Sequence, residues 1–372
     1  MGKKYSIFIT ALFCAFIFGF GIAHFVLPDR DFSEQENRYL SRFKAPTPDT
    51  LRSGRFMEDF EDYITDQFPL RDQWVQLKAL SERALGKQEN NGVYFGADGQ
   101  TLFAWFTRLS EEDLAQRMGY VNALADNMDV PVYFSLVPDK SYVWADRLPA
   151  NAPNVDDGST NEAAKALVSQ RVSFIDLYGA LQGGDVFYRT DHHWTTMGAY
   201  QGYAALKSGM GGSAAILDYE PTLVSDSFYG TTWSSAGAGW IKPDEMYTWV
   251  PEGAFQVTRY PEGSPIEGSL YDLSKLEVKD KYSMFLGGNQ PLCIIRNPFV
   301  EGIKKLLVIR DSYSDSLAPF LALDYEEIHL FDLRYNNISL KQYVEDNGID
   351  QVLVLYSAAN FSTDTNLFKL AY

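Results

Sequence analysis

Lys304-Lys305-Leu306-Leu307-Val308-Ile309-Arg310-Asp311-Ser312 is a short apolar run, bounded by charge, that ends on an acid and a hydroxyl. A continuous apolar stretch of this length predicts a strand buried on both faces, as in parallel sheets covered by helices. Working outward, Val130 to Pro138, Val172 to Leu177, Ile328 to Asp332 and Gln351 to Leu355 also read as strands. Helical spacing predicts helices over Ser110 to Asn127, Asn161 to Gln170, Thr195 to Ser208, Ser314 to Leu323 and Leu340 to Glu345. This alternation argues for an α/β fold with a parallel sheet flanked by helices. Sites in such folds gather beyond the carboxyl ends of the strands, and Ser312 stands at one of those ends.

A second stretch, Asp191-His192-His193-Trp194, holds two of the four histidines in 372 residues. Asp191 and His193 are two apart, so the carboxylate can orient one imidazole nitrogen while the other faces a hydroxyl, the arrangement of a Ser-His-Asp triad. Ser312 is favoured over Ser314 and Ser316 because it directly follows the strand-ending Asp311, where a turn into a helix exposes the hydroxyl and the backbone N–H. Two other readings stay open. Asp191 could cap the following helix. Asp191, His192 and His193 could ligate a metal, although adjacent side chains diverge in extended backbone and no spaced third His or Cys accompanies them. We expect neither a metal nor a cofactor.

Phe32-Ser33-Glu34-Gln35-Glu36-Asn37-Arg38, Pro138-Asp139-Lys140, Thr190 to Trp194, Phe285-Leu286-Gly287-Gly288-Asn289, Asp311-Ser312-Tyr313 and Asp332-Leu333-Arg334-Tyr335 together resemble the DHHW family. Beyond it, the chain resembles the wider group of alginate-acetylation-type proteins with a circularly permuted SGNH/GDSL hydrolase-like fold. The resemblance covers nearly all of the chain after the first 30 residues. It implies catalytic Asp191, His193 and Ser312, with the Asp/His pair preceding the serine. It departs from many relatives at Arg310, where they carry Gly. Ser357-Ala358-Ala359-Asn360 stands where SGNH enzymes present their asparagine block, so Asn360 is the implied oxyanion donor, with Asn289 a weaker candidate. Lys140 and Arg189 could hold a substrate carboxylate or phosphate, or simply ion-pair. Trp233, Trp240 and Trp249, with Tyr229 and Tyr247, could stack on sugar rings or fill the core.

Tyr5 to Leu27 contains no Asp, Glu, Lys or Arg and follows Lys3 and Lys4. That length suits a membrane-spanning helix with a cytoplasmic amino terminus, so residues 1–27 read as a signal anchor and the rest as extracytoplasmic. Gly21-Ile22-Ala23 keeps a cleaved signal peptide, and hence secretion, open. Residues 28–50, with Pro28, Pro46 and Pro48, suit a juxtamembrane spacer. Residues 51–372 read as one SGNH-like catalytic domain with an inserted β-rich segment at about 216–278. The apolar spacing of Leu51 to Leu85 predicts helices.

A hydrophobic content of 46% allows a large core. The net charge of −17 speaks against nucleic-acid binding, which needs a basic face. Two cysteines, Cys14 and Cys293, offer neither a credible internal disulfide nor a four-cysteine zinc site. The sequence therefore reads as an extracytoplasmic O-acyltransferase, expected to acetylate an envelope or secreted polysaccharide. By resemblance, a membrane-bound O-acyltransferase would be its partner. A carbohydrate esterase with the same triad, or a non-catalytic glycan-binding protein, are the alternatives.

Overall fold

The computed structural model describes residues 2–153, 156–253, 255–261, 263–300, 302 and 304–372. The chain divides into two compact units, one comprising residues up to 90 with 234–240, the other 91–233 with 241–372.

In the first unit, the helix Lys3–Val26 is long and apolar enough to cross a membrane. Helices Arg55–Asp66 and Arg71–Ala84 follow, as the apolar spacing predicts. Phe20 stacks on Phe68 at 5.4 Å between ring centroids. The segment 28–50 is anchored rather than free along its length, because Arg38 forks onto Asp66 at 2.9 and 2.6 Å and Glu36 accepts from Arg71 at 2.6 Å. The Arg38 bonds hold the Asp66 carboxyl down at about 2.

The second unit is built on an eight-stranded mixed sheet. Its strands in chain order are β1 (Val132–Val137), β2 (Val172–Phe174), β3 (Gln256–Arg259), β4 (Ile266–Gly268), β5 (Leu292–Arg296), β6 (Lys305–Arg310), β7 (Glu327–Phe331) and β8 (Gln351–Ser357). They lie in the order β4-β3-β5-β7-β6-β8-β1-β2. From β7 to β2 every neighbouring pair is parallel, and β5, β3 and β4 extend the sheet antiparallel. The expected β-rich stretch is thus split. Thr222–Phe228 and Asp244–Thr248 form their own antiparallel ribbon, while β3 and β4 belong to the main sheet.

Alternation along the central strands explains why they read as unbroken apolar runs. Leu306 and Val308 of β6, with Leu353 and Leu355 of β8, pack into one core layer. Leu307, Ile309, Val352 and Val354 pack into the layer on the other face. With both faces covered, every position must be apolar.

β6 lies between β7 and β8, so the chain leaves β6 toward one side through the helix Tyr313–Leu321 and returns to the other through Leu340–Asn347. Such a reversal opens a crevice at the carboxyl ends of β6 and β8. Ser312 sits at that crevice.

Two predictions follow from this packing. Leu307→Ala removes a fully buried side chain and should cost roughly 2–5 kcal/mol in denaturant unfolding. Leu273→Ala, at a half-exposed position, should change stability by less than about 0.5 kcal/mol. Beyond β1, the Asp139 N–H donates to Asp157 Oδ2 at 2.8 Å, and burial pushes the Asp157 carboxyl up to about 7. The folded protein therefore keeps a proton there that the unfolded chain has lost, so stability from this group is fullest below pH 4 and declines as pH rises to 7. Asp157→Asn should gain thermal stability relative to wild type across that window. Melting curves that shift in parallel for the two proteins would contradict it.

Candidate active site

The Asp191-His192-His193-Trp194 run is held by a tight turn that folds around a lysine. The Tyr188 N–H donates to the His193 carbonyl at 3.1 Å, and Phe187 bridges antiparallel to Trp194. Lys140, only 2% exposed, donates from Nζ to the carbonyls of Tyr188 at 3.0 Å, Arg189 at 3.3 Å and Asp191 at 2.7 Å. Burial draws its ammonium down to about 8. The helix Thr196–Gly209 begins just after the run and is capped by Thr195, whose side chain accepts from the Gly198 N–H at 3.2 Å. The cap is Thr195, not Asp191.

Asp191 is buried and both of its oxygens are engaged. Oδ1 accepts from His193 Nδ1 at 2.6 Å and from the His193 N–H at 3.0 Å. Oδ2 accepts from the Thr231 N–H at 2.7 Å and hydroxyl at 3.0 Å. Gly230 allows this approach, since a Cβ there would fall 2.2 Å from the Asp191 Cβ. Burial works against ionisation of Asp191, but His192, His193 and these hydrogen bonds hold its carboxyl well below the usual carboxylate range.

His193 Nε2 lies 2.7 Å from Ser312 Oγ. His192 turns elsewhere, with Nδ1 3.0 Å from Thr231 Oγ1. Ser312 is partly exposed, whereas Ser314 and Ser316 are buried. Ser316 Oγ instead accepts from Trp194 Nε1 at 2.9 Å, and the same indole N–H lies 3.0 Å from the Tyr313 carbonyl. Tyr282 lies flat on His193, with ring centroids 3.8 Å apart and planes 9° from parallel, and its hydroxyl donates to the Ser312 carbonyl at 3.2 Å. The motif, the Ser312 turn and Tyr282 form one packed assembly.

Ligating atoms of Asp191, His192 and His193 lie within 4.8 Å of one another. The lone pairs a cation would need are nevertheless taken, at Asp191 by four donors and at His193 by Ser312. This donor set suits proton transfer better than ligation.

The remaining expected site residues are placed differently. Lys140 is enclosed by backbone carbonyls, which corrects its expected contact with substrate: it supports the turn. Arg189 pairs through Nε with Asp244 at 3.1 Å and donates from Nη2 to the Pro243 carbonyl at 2.6 Å, so ion pairing is its observed part. Asn360 donates from Nδ2 to Asp311 Oδ2 at 2.8 Å, which engages one of its two amide hydrogens. Asn289 accepts from Arg310 at 2.7 Å. Of the aromatic residues, Trp249 packs on Tyr200 at 4.8 Å, Tyr229 and Trp233 sit under Lys279, and Trp240 belongs to the first unit.

Sequence reasoning missed Thr231 and Tyr282. Thr231 follows a glycine in an unremarkable Gly-Thr-Thr run, and nothing in its spacing links it to Asp191, 40 residues earlier. Tyr282 is one of 23 tyrosines.

Residues 169–331 match the family model described as DHHW protein, and residues 109–225 match that described as SGNH hydrolase-like domain, acetyltransferase AlgX. Over residues 169–331 the chain is similar to the DHHW proteins. A probable alginate O-acetylase AlgJ of Pseudomonas syringae pv. tomato is 26% identical over 174 residues, 44% of this chain and 44% of that one. The match thus spans under half of that relative's length. A DHHW family protein of Eubacterium siraeum has the same fold with a TM-score of 0.64 at 22% identity, covering 76% of this chain and 95% of that one. Bacillus cereus PatB1, solved with a sulfonyl adduct, aligns with a TM-score of 0.62 at 22% identity over 73% of this chain and 96% of its own. The α/β sheet described above is therefore of the SGNH-like type.

The Thr231→Val substitution keeps the backbone donor to Asp191 and removes the hydroxyl. Loss of one hydrogen bond to a charged group, about 1.5 kcal/mol, should slow acylation of Ser312 roughly tenfold. Labelling by p-nitrophenyl acetate, followed by mass spectrometry, measures it.

Proposed function

We propose that this protein is an extracytoplasmic O-acetyltransferase that modifies a polysaccharide through an acyl-serine intermediate on Ser312. The observation that carries this reading is the continuous chain of contacts Asp191–His193–Ser312, at 2.6 and 2.7 Å, ending on the partly exposed hydroxyl. The name of the AlgJ relative supplies the acetyl group and the glycan as the class of reaction.

In the first half-reaction, His193 Nε2 takes the Ser312 proton as Oγ attacks the acyl carbonyl. Asp191 fixes the imidazole with Nδ1–H toward itself and stabilises the imidazolium. The Tyr313 N–H is already donated to Asp311 at 3.0 Å, so we assign the Ser312 N–H as the backbone donor to the oxyanion. Collapse expels the donor's leaving group, which takes the proton from His193. In the second half-reaction a glycan hydroxyl, deprotonated by His193, attacks the acyl-serine and regenerates free Ser312. Atoms and protons balance over the two steps without a cofactor.

The order of Asp191 and His193 before Ser312 fits a circularly permuted SGNH arrangement. We place residues 1–27 as a membrane anchor, 28–50 as the segment joining it to the catalytic body, and 216–278 as an addition to the basic fold. A membrane-bound O-acyltransferase is the partner that would deliver the acyl group.

The full chain in nanodiscs, incubated with p-nitrophenyl acetate and then with oligosaccharides, tests this. Ser312→Ala and His193→Ala should each lower acyl-enzyme formation by roughly 10³-fold or more, because triad members act as a unit. His192→Ala should have a much smaller effect. Normal labelling of Ser312→Ala would remove the nucleophile assignment, and acetate release unaffected by any glycan would favour an esterase.

A further inference from the structure

Away from the triad, a cleft of about 610 Å³ opens at the carboxyl ends of β1 and β2. Its walls come from three segments: the turn holding Tyr142 and Val143 after β1, the helix Asp157–Leu167, and residues 176–183 after β2. These are on the same edge of the sheet as Ser312. Three strand spacings separate β6 from β2, about 14 Å at the usual distance between neighbours.

The lining has a definite chemistry. Tyr142 is 41% exposed and its ring meets Tyr178 at 4.9 Å. The Tyr142 ring rests against Gly158, where a Cβ would come within 2.7 Å of it, so the ring is held in place. Around this aromatic floor stand Asn161, Glu162, Asp176 and Gln182. Asn161 is 2% exposed; its Nδ2 donates to Asp176 at 3.3 Å, and its Oδ1 has no partner among the described residues. No Lys, Arg or His is among the residues lining the cleft. Aromatic rings flanked by acceptors suit a hydroxyl-bearing pyranose, whose C–H face stacks while its hydroxyls donate. Lys165, outside the lining, pairs with Glu162 at 3.9 Å, which leaves Asp176 as the carboxylate that repels a further one.

We propose that this cleft is a second carbohydrate subsite, which holds a pyranose lacking a carboxylate and so directs a neighbouring unit of the same chain to Ser312. The inference rests on the acyltransfer reading, and it sets the acceptor apart from the polyuronate named for the AlgJ relative. The acceptor is a neutral or amino-sugar glycan, held at two points along the sheet edge.

The test uses the full chain in nanodiscs. Binding of cellotriose, chitotriose and a mannuronate trimer is measured by calorimetry, with phenylmethylsulfonyl fluoride labelling of Ser312 followed in parallel. At least one of the two uncharged trimers should bind at least tenfold more tightly than the uronate. Tyr142→Ala should weaken that binding about tenfold or more, while leaving sulfonyl labelling and thermal unfolding unchanged. Gly158→Ala, which displaces the ring without removing it, should weaken binding in the same direction. Equal or tighter binding of the uronate, absence of binding by both uncharged trimers, or wild-type affinity in Tyr142→Ala would overturn the subsite. Failure of labelling in wild type would instead strike at the triad, which keeps the two readings separable.

Discussion

The carboxylate of Asp311 ties the molecule together at its crevice. Oδ1 accepts from the Tyr313 N–H at 3.0 Å and so shapes the turn that carries Ser312. Oδ2 reaches across to β8, accepting from the Ser357 N–H and from Asn360 Nδ2, both at 2.8 Å. One side chain therefore closes the ends of two neighbouring parallel strands, at the point where chain direction across the sheet reverses. Without it, three donors at a largely buried edge would need other acceptors, at about 1–3 kcal/mol for each left unsatisfied. Asn360 is thereby drawn into a supporting part, because its amide bonds to the acid beside the serine.

A second layer of constraint is aromatic and polar at once. Tyr282 covers the face of His193 and reaches the Ser312 carbonyl, while the Trp194 indole reaches the start of the same helix. Behind them, Arg310 is fully buried with Asp315 at 2.7 Å, and burial lifts the Asp315 carboxyl to about 6. The basic side chain at position 310, where the resemblance implies glycine, is thus held inside the protein by Asp315 and Asn289. Rigidity at Ser312 comes from this packing more than from any single bond.

The α/β character was legible in the sequence because β6 and β8 are buried on both faces and show it as continuous apolar runs. The helices Glu111–Asn127 and Thr196–Gly209 were equally legible from their spacing, although the structure puts Thr195 and not Asp191 at the cap of the second. The antiparallel extension was not: β3 and β4 are short, with Gln256, Thr258, Arg259 and Glu267 along them, so they show no apolar run that would tie them to the main sheet. At the site, residue type and order pointed to Asp191, His193 and Ser312, and the geometry brings these side chains together. Lys140 was misread because a buried ammonium among carbonyls leaves no mark in sequence different from a surface lysine. Thr231 and Tyr282 escaped for a related reason, since contacts formed only by folding have no local spacing to betray them.

The imidazole and the hydroxyl it meets are 119 residues apart in the chain, yet the indole N–H of Trp194 and the hydroxyl of Tyr313 both cross between their segments directly. The two halves of the site therefore meet through their own side chains, with Tyr282 the bridge that the intervening chain adds. Doubling a connecting loop raises its closure entropy by only about 0.6 kcal/mol. A locus clasped in this way can accept large changes in the intervening chain away from Gly230-Thr231 and Tyr282, which touch it, so a lineage can acquire new surface there while the clasp itself stays as it was.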